Sequence, residues 1–327
     1  MRFAVMALAT AVAFGQTTKV FQLTQNQSPQ DLQEITVVVR NIADIEQLSM
    51  DEGIRTLTLN ASDGQVAMSS WLVQQLDLPS NATLTGAHEY RTPAAGDDVV
   101  RVLYATHAAS PQALQEIAVA LRSVADIGRL FVYNALKAVV VRDTDRKVSL
   151  AAWIMDQLNQ PENAPAPEPH EFRISENDVA RVFELANSPN PQAMQEITTL
   201  IRAVADMQRI FVYNARKSLV LRGPADRVSL ASWLVSELDR PAQPGAERVA
   251  SHEYRLPNDA QNVVRVFYLP PQSPEDLQKA ITLVRSTAGT YRSFIYNTLN
   301  ALAVRGTAGQ VATAEKVLEE IRKPQSE

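Results

Sequence analysis

The stretch FVYNALKAVVVRDTDRKVSLAAWIMDQLNQP, Phe131–Pro161, decides the fold because the chain contains it again as FVYNARKSLVLRGPADRVSLASWLVSELDRP, Phe211–Pro241. Looser copies lie at Ser49–Pro79 and Phe294–Pro324. Each copy reads as two short β-rich runs around a tight turn, then a helix closed by proline. Upstream of each sits a second helix start: SPQDLQEI from Ser28, SPQALQEI from Ser110, NPQAMQEI from Asn190 and SPEDLQKA from Ser273. Their prolines, Pro29, Pro111, Pro191 and Pro274, are 82, 80 and 83 residues apart. A fixed period of this length is the signature of tandem modules.

The second copy gives the order of elements. Val99–Tyr104, VVRVLY, is a predicted strand. Ser110 caps a helix with Pro111 at its first position, where a missing N–H costs nothing. Leu114, Ile117, Leu121 and Val124 make its apolar face. Arg129–Tyr133 and Ala138–Arg142 are two strands joined by Asn134-Ala135-Leu136-Lys137. A second helix runs over Asp145–Leu158 and buries Val148, Ala151, Met155 and Leu158. The order is β-α-β-β-α, and the third and fourth copies repeat it. The fold class is therefore α+β, with four modules: 16–79, 86–161, 168–241 and 250–324. In the first, LSMDEG replaces the aromatic strand at Leu48–Gly53, so that module reads as degenerate, its hairpin shorter or frayed. HEYR at His88, HEFR at His170 and HEYR at His252, each 82 residues from the next, read as an extra strand pairing with the first strand of the module that follows.

The closing helix carries a second apolar stripe: Met68 and Trp71, Leu150 and Trp153, Leu230 and Trp233. At ~100° per residue the tryptophan points roughly 140° away from the face that holds Val148. In the fourth module the same positions are Thr313 and Lys316. A stripe that turns polar only in the last repeat reads as capping. The stripe is expected to hold modules together, each tryptophan packing on the downstream aromatic Tyr90, Phe172 or Tyr254. Arg142, Arg222 and Arg305, at the ends of equivalent strands, are candidate subunit contacts.

Composition bounds the rest. The 327 residues are 20% charged and 46% hydrophobic, which is ordinary for a globular protein. A net charge of −5 argues against nucleic acid as a partner. There is no cysteine, hence no disulfide, thiolate nucleophile or Cys-bound zinc. Residues 1–15, MRFAVMALATAVAFG, have the charge, apolar run and small residues of a secretory signal peptide. No other run is long enough to span a bilayer as a helix. The three His-Glu pairs fail as metal sites, because strand neighbours point to opposite faces. No serine sits in a nucleophile elbow and no glycine-rich loop could cradle phosphate. No enzyme activity, catalytic residue, metal or cofactor is expected.

The element order, Tyr133-Asn134…Val139-Val140-Val141 with Trp153…Leu158, Tyr213-Asn214…Leu219-Val220-Leu221-Arg222-Gly223 with Leu238-Asp239-Arg240-Pro241, and Tyr296-Asn297…Leu302-Ala303-Val304-Arg305-Gly306 resemble the N-domains of bacterial secretins (NolW-like and secretin short N-terminal domains). These form rings in the outer-membrane channels of type II secretion and type IV pili. The resemblance implies an exported, periplasmic, outer-membrane-associated structural or scaffold protein whose partner is itself, as a homo-oligomer, or a secretin channel. No β-rich barrel region follows the fourth module, so this chain alone is not expected to form a pore. The topology also looks like a KH module, but it lacks the GxxG loop and the basic charge that RNA would need. A free-standing periplasmic adaptor, binding a peptide, envelope protein or glycan along the modules, is the alternative reading.

Overall fold

The computed structural model describes residues 16–25, 28–79, 82, 84, 88–92, 96–161, 164, 170–241 and 250–322. The segment read as a signal peptide, 1–15, lies outside them. The first module comprises β1 (Thr17–Gln22), α1 (Pro29–Ile42), β2 (Gln47–Asp51), β3 (Thr56–Ala61) and α2 (Asp63–Leu76). The second adds a leading strand: β4 (His88–Arg91), β5 (Asp98–Tyr104), α3 (Pro111–Val124), β6 (Arg129–Tyr133), β7 (Ala138–Thr144) and α4 (Asp145–Leu158). The third is β8 (Glu171–Ser175), β9 (Asp178–Glu184), α5 (Pro191–Val204), β10 (Arg209–Tyr213), β11 (Ser218–Gly223) and α6 (Ala225–Leu238). The fourth is β12 (Ala250–Arg255), β13 (Asn262–Tyr268), α7 (Pro274–Ala288), β14 (Arg292–Tyr296), β15 (Ala301–Thr307) and α8 (Ala308–Arg322). Contacts divide the chain into two compact units, Met1–Thr106 with Arg129–Asp145, and His107–Gly128 with Arg146–Glu327.

The three later sheets are antiparallel and share one order: β4-β5-β7-β6, β8-β9-β11-β10 and β12-β13-β15-β14. The HEYR segments are their leading edge strands, as the sequence suggests, with Tyr90 opposite Val100 and Tyr254 opposite Val264. The first sheet, β1-β3-β2, has three strands.

Local chemistry sets the helix ends. Ser28, Ser110, Asn190 and Ser273 each accept the N–H three residues on, at 2.9–3.1 Å, ahead of a first-turn proline. Each of these helices ends before a left-handed residue: Asp44, Asp126, Asp206 and Gly289, at φ 55–65°. Each hairpin of the later modules turns through a single 3-10 turn starting at Asn134, Asn214 or Asn297, with Lys137, Lys217 or Asn300 left-handed at its end.

Burial explains the strand compositions. In the second unit, alternate residues of the fourth sheet enter two cores. Val263, Phe267, Leu302 and Val304 pack with α7 and α8. Val264, Val266, Tyr296, Ala301 and Ala303 join the core of α5, α6, β9 and β11. A strand covered on both faces must be apolar throughout, hence the runs VVRVFY and ALAV. In the first unit, Val100, Val102, Tyr104, Tyr133, Ala138 and Val140 likewise share the core of α1, α2 and β3. Among the described residues the first sheet has no such second cover: β3 alternates, with Leu57 and Leu59 buried and Thr56, Thr58 and Asn60 half-buried. Val20 is 55% exposed, whereas its equivalent Val102 is fully buried.

One expectation is corrected. The first hairpin is neither shortened nor frayed. Strand β2 has five residues, as does β6, and all of them pair with β3. Its turn is closed by Asp51, whose Oδ1 accepts from the N–H of Gly53 and Ile54 at 3.0 and 3.3 Å. What LSMDEG loses is the apolar outer face, not the strand.

The buried tyrosines make stability pH-dependent. The Tyr104 hydroxyl donates to the carbonyl of Gln75 at 3.1 Å, and burial pushes its pKa up to about 12. Burial raises Tyr133, Tyr213, Tyr268 and Tyr296 as well. A group raised when folded contributes stability in full below its unfolded pKa, about 10 for tyrosine, and loses it as pH rises through the folded value. Unfolding free energy is therefore expected to fall between about pH 10 and 12. Tyr104→Phe should make that fall shallower, as measured by urea denaturation across the alkaline range; an unchanged slope would refute the assignment.

Candidate functional site

The residues that recur most regularly lie where one module meets the next. Glu34, Glu116 and Glu196 stand in the second turn of α1, α3 and α5, four residues before Val38, Ala120 and Leu200. That spacing puts each pair on one stripe, and the three apolar members are fully buried. Each glutamate receives the asparagine of the next hairpin by both of its donors. Asn134 gives its backbone N–H and its side-chain amide to the two oxygens of Glu34, each at 2.7 Å. Asn214 does the same to Glu116 at 2.9 and 3.2 Å. Asn297 does so to Glu196, both at 2.9 Å. The asparagine opens a 3-10 turn, so its N–H has no partner within the turn, and the carboxylate satisfies it.

An arginine closes the other end of the contact. Arg142 donates to the carbonyl of Ile42 at 2.5 Å, Arg222 to that of Val124 at 3.4 Å and Arg305 to that of Val204 at 2.8 Å. These are last-turn carbonyls, unsatisfied within the helix and at the negative end of its dipole. Read in the sequence as candidate subunit contacts, the three arginines are 14, 11 and 16% exposed and are engaged within this chain. The left-handed aspartates supply countercharge: Asp44 to Arg129 at 2.5 Å and to Arg142 at 3.3 Å, and Asp126 to Arg209 at 3.5 Å.

The tryptophans lie in the same contacts. Trp71 and Tyr90 have ring centroids 5.6 Å apart, Trp153 and Phe172 5.7 Å, Trp233 and Tyr254 5.4 Å, all tilted by 41–45°. Their stripe partners Met68, Leu150 and Leu230 are buried. Each contact is therefore a clasp with shared parts: tryptophan, glutamate and helix end from one module, and aromatic, asparagine and arginine from the next; at the first two the left-handed aspartate also pairs with an arginine of the next module.

The two ends of the repeat complete the pattern. In the fourth module the glutamate becomes Lys279, the left-handed aspartate Gly289 and the tryptophan Lys316. Leu283, on the stripe of Leu200, is 46% exposed. In the first module the asparagine becomes Glu52, the arginine Asn60 and the tyrosine Asp51. Sequence reasoning found YN and QE separately, as a turn and as a helix start, and did not join them. The available signal was that QE is lost only from the last repeat and YN only from the first.

The HEYR glutamates pair with arginines: Glu89 with Arg91 and Arg101, Glu171 with Arg173 and Arg181, Glu253 with Arg255 and Arg265. His252 sits 2.6 Å from buried Glu237, which also holds Arg240 and the Tyr268 hydroxyl. Among the described residues, no group of three His, Cys, Asp or Glu side chains could hold a metal, and no helix is long and apolar enough to cross a membrane.

No family model and no curated protein matches the chain. Solved structures match it at low sequence identity. ExeD of Aeromonas hydrophila shares 16% identity over 69% of this chain and 41% of its own, with a TM-score of 0.18. XcpQN012 shares 15% identity over 69% of this chain and 99% of its own, at 0.24. The AspS–GspD pilotin–secretin complex of ETEC shares 12% identity over 90% of this chain and 59% of its own, at 0.18. The chain thus spans less than half the length of the ExeD chain it matches.

Removing one clasp should cost measurable stability. Glu196→Ala leaves both Asn297 donors without their acceptor and is expected to destabilise by about 1–2 kcal/mol, since hydrogen bonds to a charged group contribute roughly 1.5–3 kcal/mol and this one is partly solvated. Lys279→Ala, at the same position in the fourth module, should stay within about 0.5 kcal/mol. Chemical denaturation of both variants checks this, and equal effects would dismiss the clasp. Trp233→Lys should cost about 2–3 kcal/mol, less than the 3–5 typical of a fully buried ring, because Trp233 is only half-buried.

Proposed function

We propose that the chain is a structural scaffold of the bacterial envelope, exported to the periplasm, which docks onto a secretin-type secretion or type IV pilus channel through its N-domain-like modules. The clasp carries this reading. The most regular polar residues of the repeat are committed to joining one module to the next, and none is assembled into a reactive constellation. Docking is favoured over open-ended self-association because both terminal faces have lost the clasp residues. A fourth module bearing Lys279, Gly289 and Lys316 offers no socket to the next copy, and a first module bearing Asp51, Glu52 and Asn60 offers no grip. A repeat capped in this way stops at a fixed number of modules.

Residues 16–327 are therefore expected to be monomeric by light scattering up to high concentration, and to co-sediment with the purified secretin ring of the same organism at saturable stoichiometry. A protein that forms open-ended oligomers alone, or that stays in the supernatant when the secretin pellets, would defeat the proposal.

A further inference from the structure

The third clasp differs from the other two in charge. At the first, Arg142 is gripped by the Asp98 carboxylate, with Nη2 to Oδ2 at 2.6 Å and Nε also bonded. At the second, Arg222 is held by Asp178 in the same way, at 2.7 Å. Both aspartates are the first residue of their strand. In the fourth module that residue is Asn262, which brings no charge. Asp259 lies nearby, but its carboxylate accepts from the Asn262 side chain at 2.7 Å and from the Asn262 backbone at 3.2 Å, and it reaches Arg305 only at 3.8 Å.

The hairpin arginine differs too. Arg129 pairs with Asp44 and Arg209 with Asp126. The side chain of their equivalent Arg292 has no ion pair or hydrogen bond to any described residue, and Asp206 is held by Arg227 at 2.9 Å. Arg227, Arg292 and Arg305 thus face two aspartates, Asp206 and Asp259, around an open cavity of about 550 Å³. Burial, with the neighbouring charge of Arg292, holds the Arg305 guanidinium below its ordinary pKa. Gly289 and Gly306 contribute no side chain to the wall, and Tyr291 stands at it 86% exposed.

We propose that this arginine-lined cavity is a binding site for a carboxylate ligand. The chain itself shows what fits: at both other clasps the same arginine is met by an aspartate carboxylate, in the planar, two-pronged geometry that guanidinium favours. Here the Asn262 amide takes the place of that carboxylate, and the arginine lies at the wall of an open cavity. The volume exceeds one carboxyl group, so the ligand brings further atoms, either as the acidic side chain of a protein segment or as a small free dicarboxylic acid. The site does not depend on docking to a channel.

The test uses residues 16–327 and follows the amide signals of Gly289, Thr290 and Gly306 by NMR. The probes are a blocked Gly-Asp-Glu-Asp-Gly peptide, its Gly-Asn-Gln-Asn-Gly counterpart, succinate and inorganic phosphate. Saturable shifts are expected with the acidic peptide and not with its amide form; a matching response to succinate would assign the site to small acids, and none to succinate would assign it to protein segments. Asn262→Asp restores the internal carboxylate and should weaken binding at least tenfold while leaving the fold as stable or more so. Arg292→Gln, which removes no internal bond, should also weaken it at least tenfold. Binding unaffected by both substitutions, no binding of either carboxylate at millimolar concentration, or a preference for phosphate would overturn the assignment.

Discussion

A carboxylate that accepts both donors of one asparagine is the contact on which the module junctions depend. It works because the backbone already leaves an N–H unsatisfied at the start of a short turn. The glutamate supplies what the turn lacks, and the asparagine side chain fixes the angle of approach. The arginine at the opposite end satisfies helix carbonyls that are orphaned for the same reason. Both polar contacts thus use groups that would otherwise face water, so forming them gives up little, and a large apolar surface is buried between them. A fully buried valine such as Val102 or Val266 contributes about 1.5–3 kcal/mol relative to exposure. The apolar surface therefore supplies most of the stability, and the polar residues fix register and direction.

Strain is placed where it has a use. A non-glycine residue in the left-handed region costs about 1 kcal/mol. The first three modules carry that cost as Asp44, Asp126 and Asp206, each within reach of an arginine. The fourth module, with no clasp beyond it, uses Gly289 and avoids that cost at this position. The choice of residue follows from whether the position has a charge to meet.

Much of the fold was legible in the sequence. Helix starts follow from Ser or Asn before proline, helix ends from a following Asp, Asn or proline, and the hairpin from Tyr-Asn before a left-handed turn residue. Period-2 alternation was harder to use, because VVRVLY and AVVV have none; strands covered on both faces lose it, and only β-branched enrichment remains. The first module was misread for the converse reason. Its Thr56, Thr58 and Asn60 keep a clean alternation, and LSMDEG is the sequence of an uncovered face rather than of a failing strand. The tryptophan stripe was visible because it breaks the helical period of the core. The Glu–Asn contact was not, since its partners are 98–101 residues apart and each has a sufficient local explanation. The arginine cavity was invisible for a subtler reason: Asn262 in place of aspartate is an ordinary strand-edge residue until its two equivalents are seen gripping arginines.

Because every junction repeats the glutamate–asparagine, arginine–carbonyl and ring contacts, interior modules are interchangeable in a way the end modules are not. Excising residues 134–213 would leave Tyr133 followed by Asn214, and Glu34 would find an asparagine at the same place in an identical turn. Duplicating that block would likewise leave no donor or carbonyl orphaned. Such a chain can change its length in steps of one module without inventing a new interface. Recombination within a gene of this kind gives a graded family of lengths from a single solved packing problem, with the first and last modules fixing where the series stops.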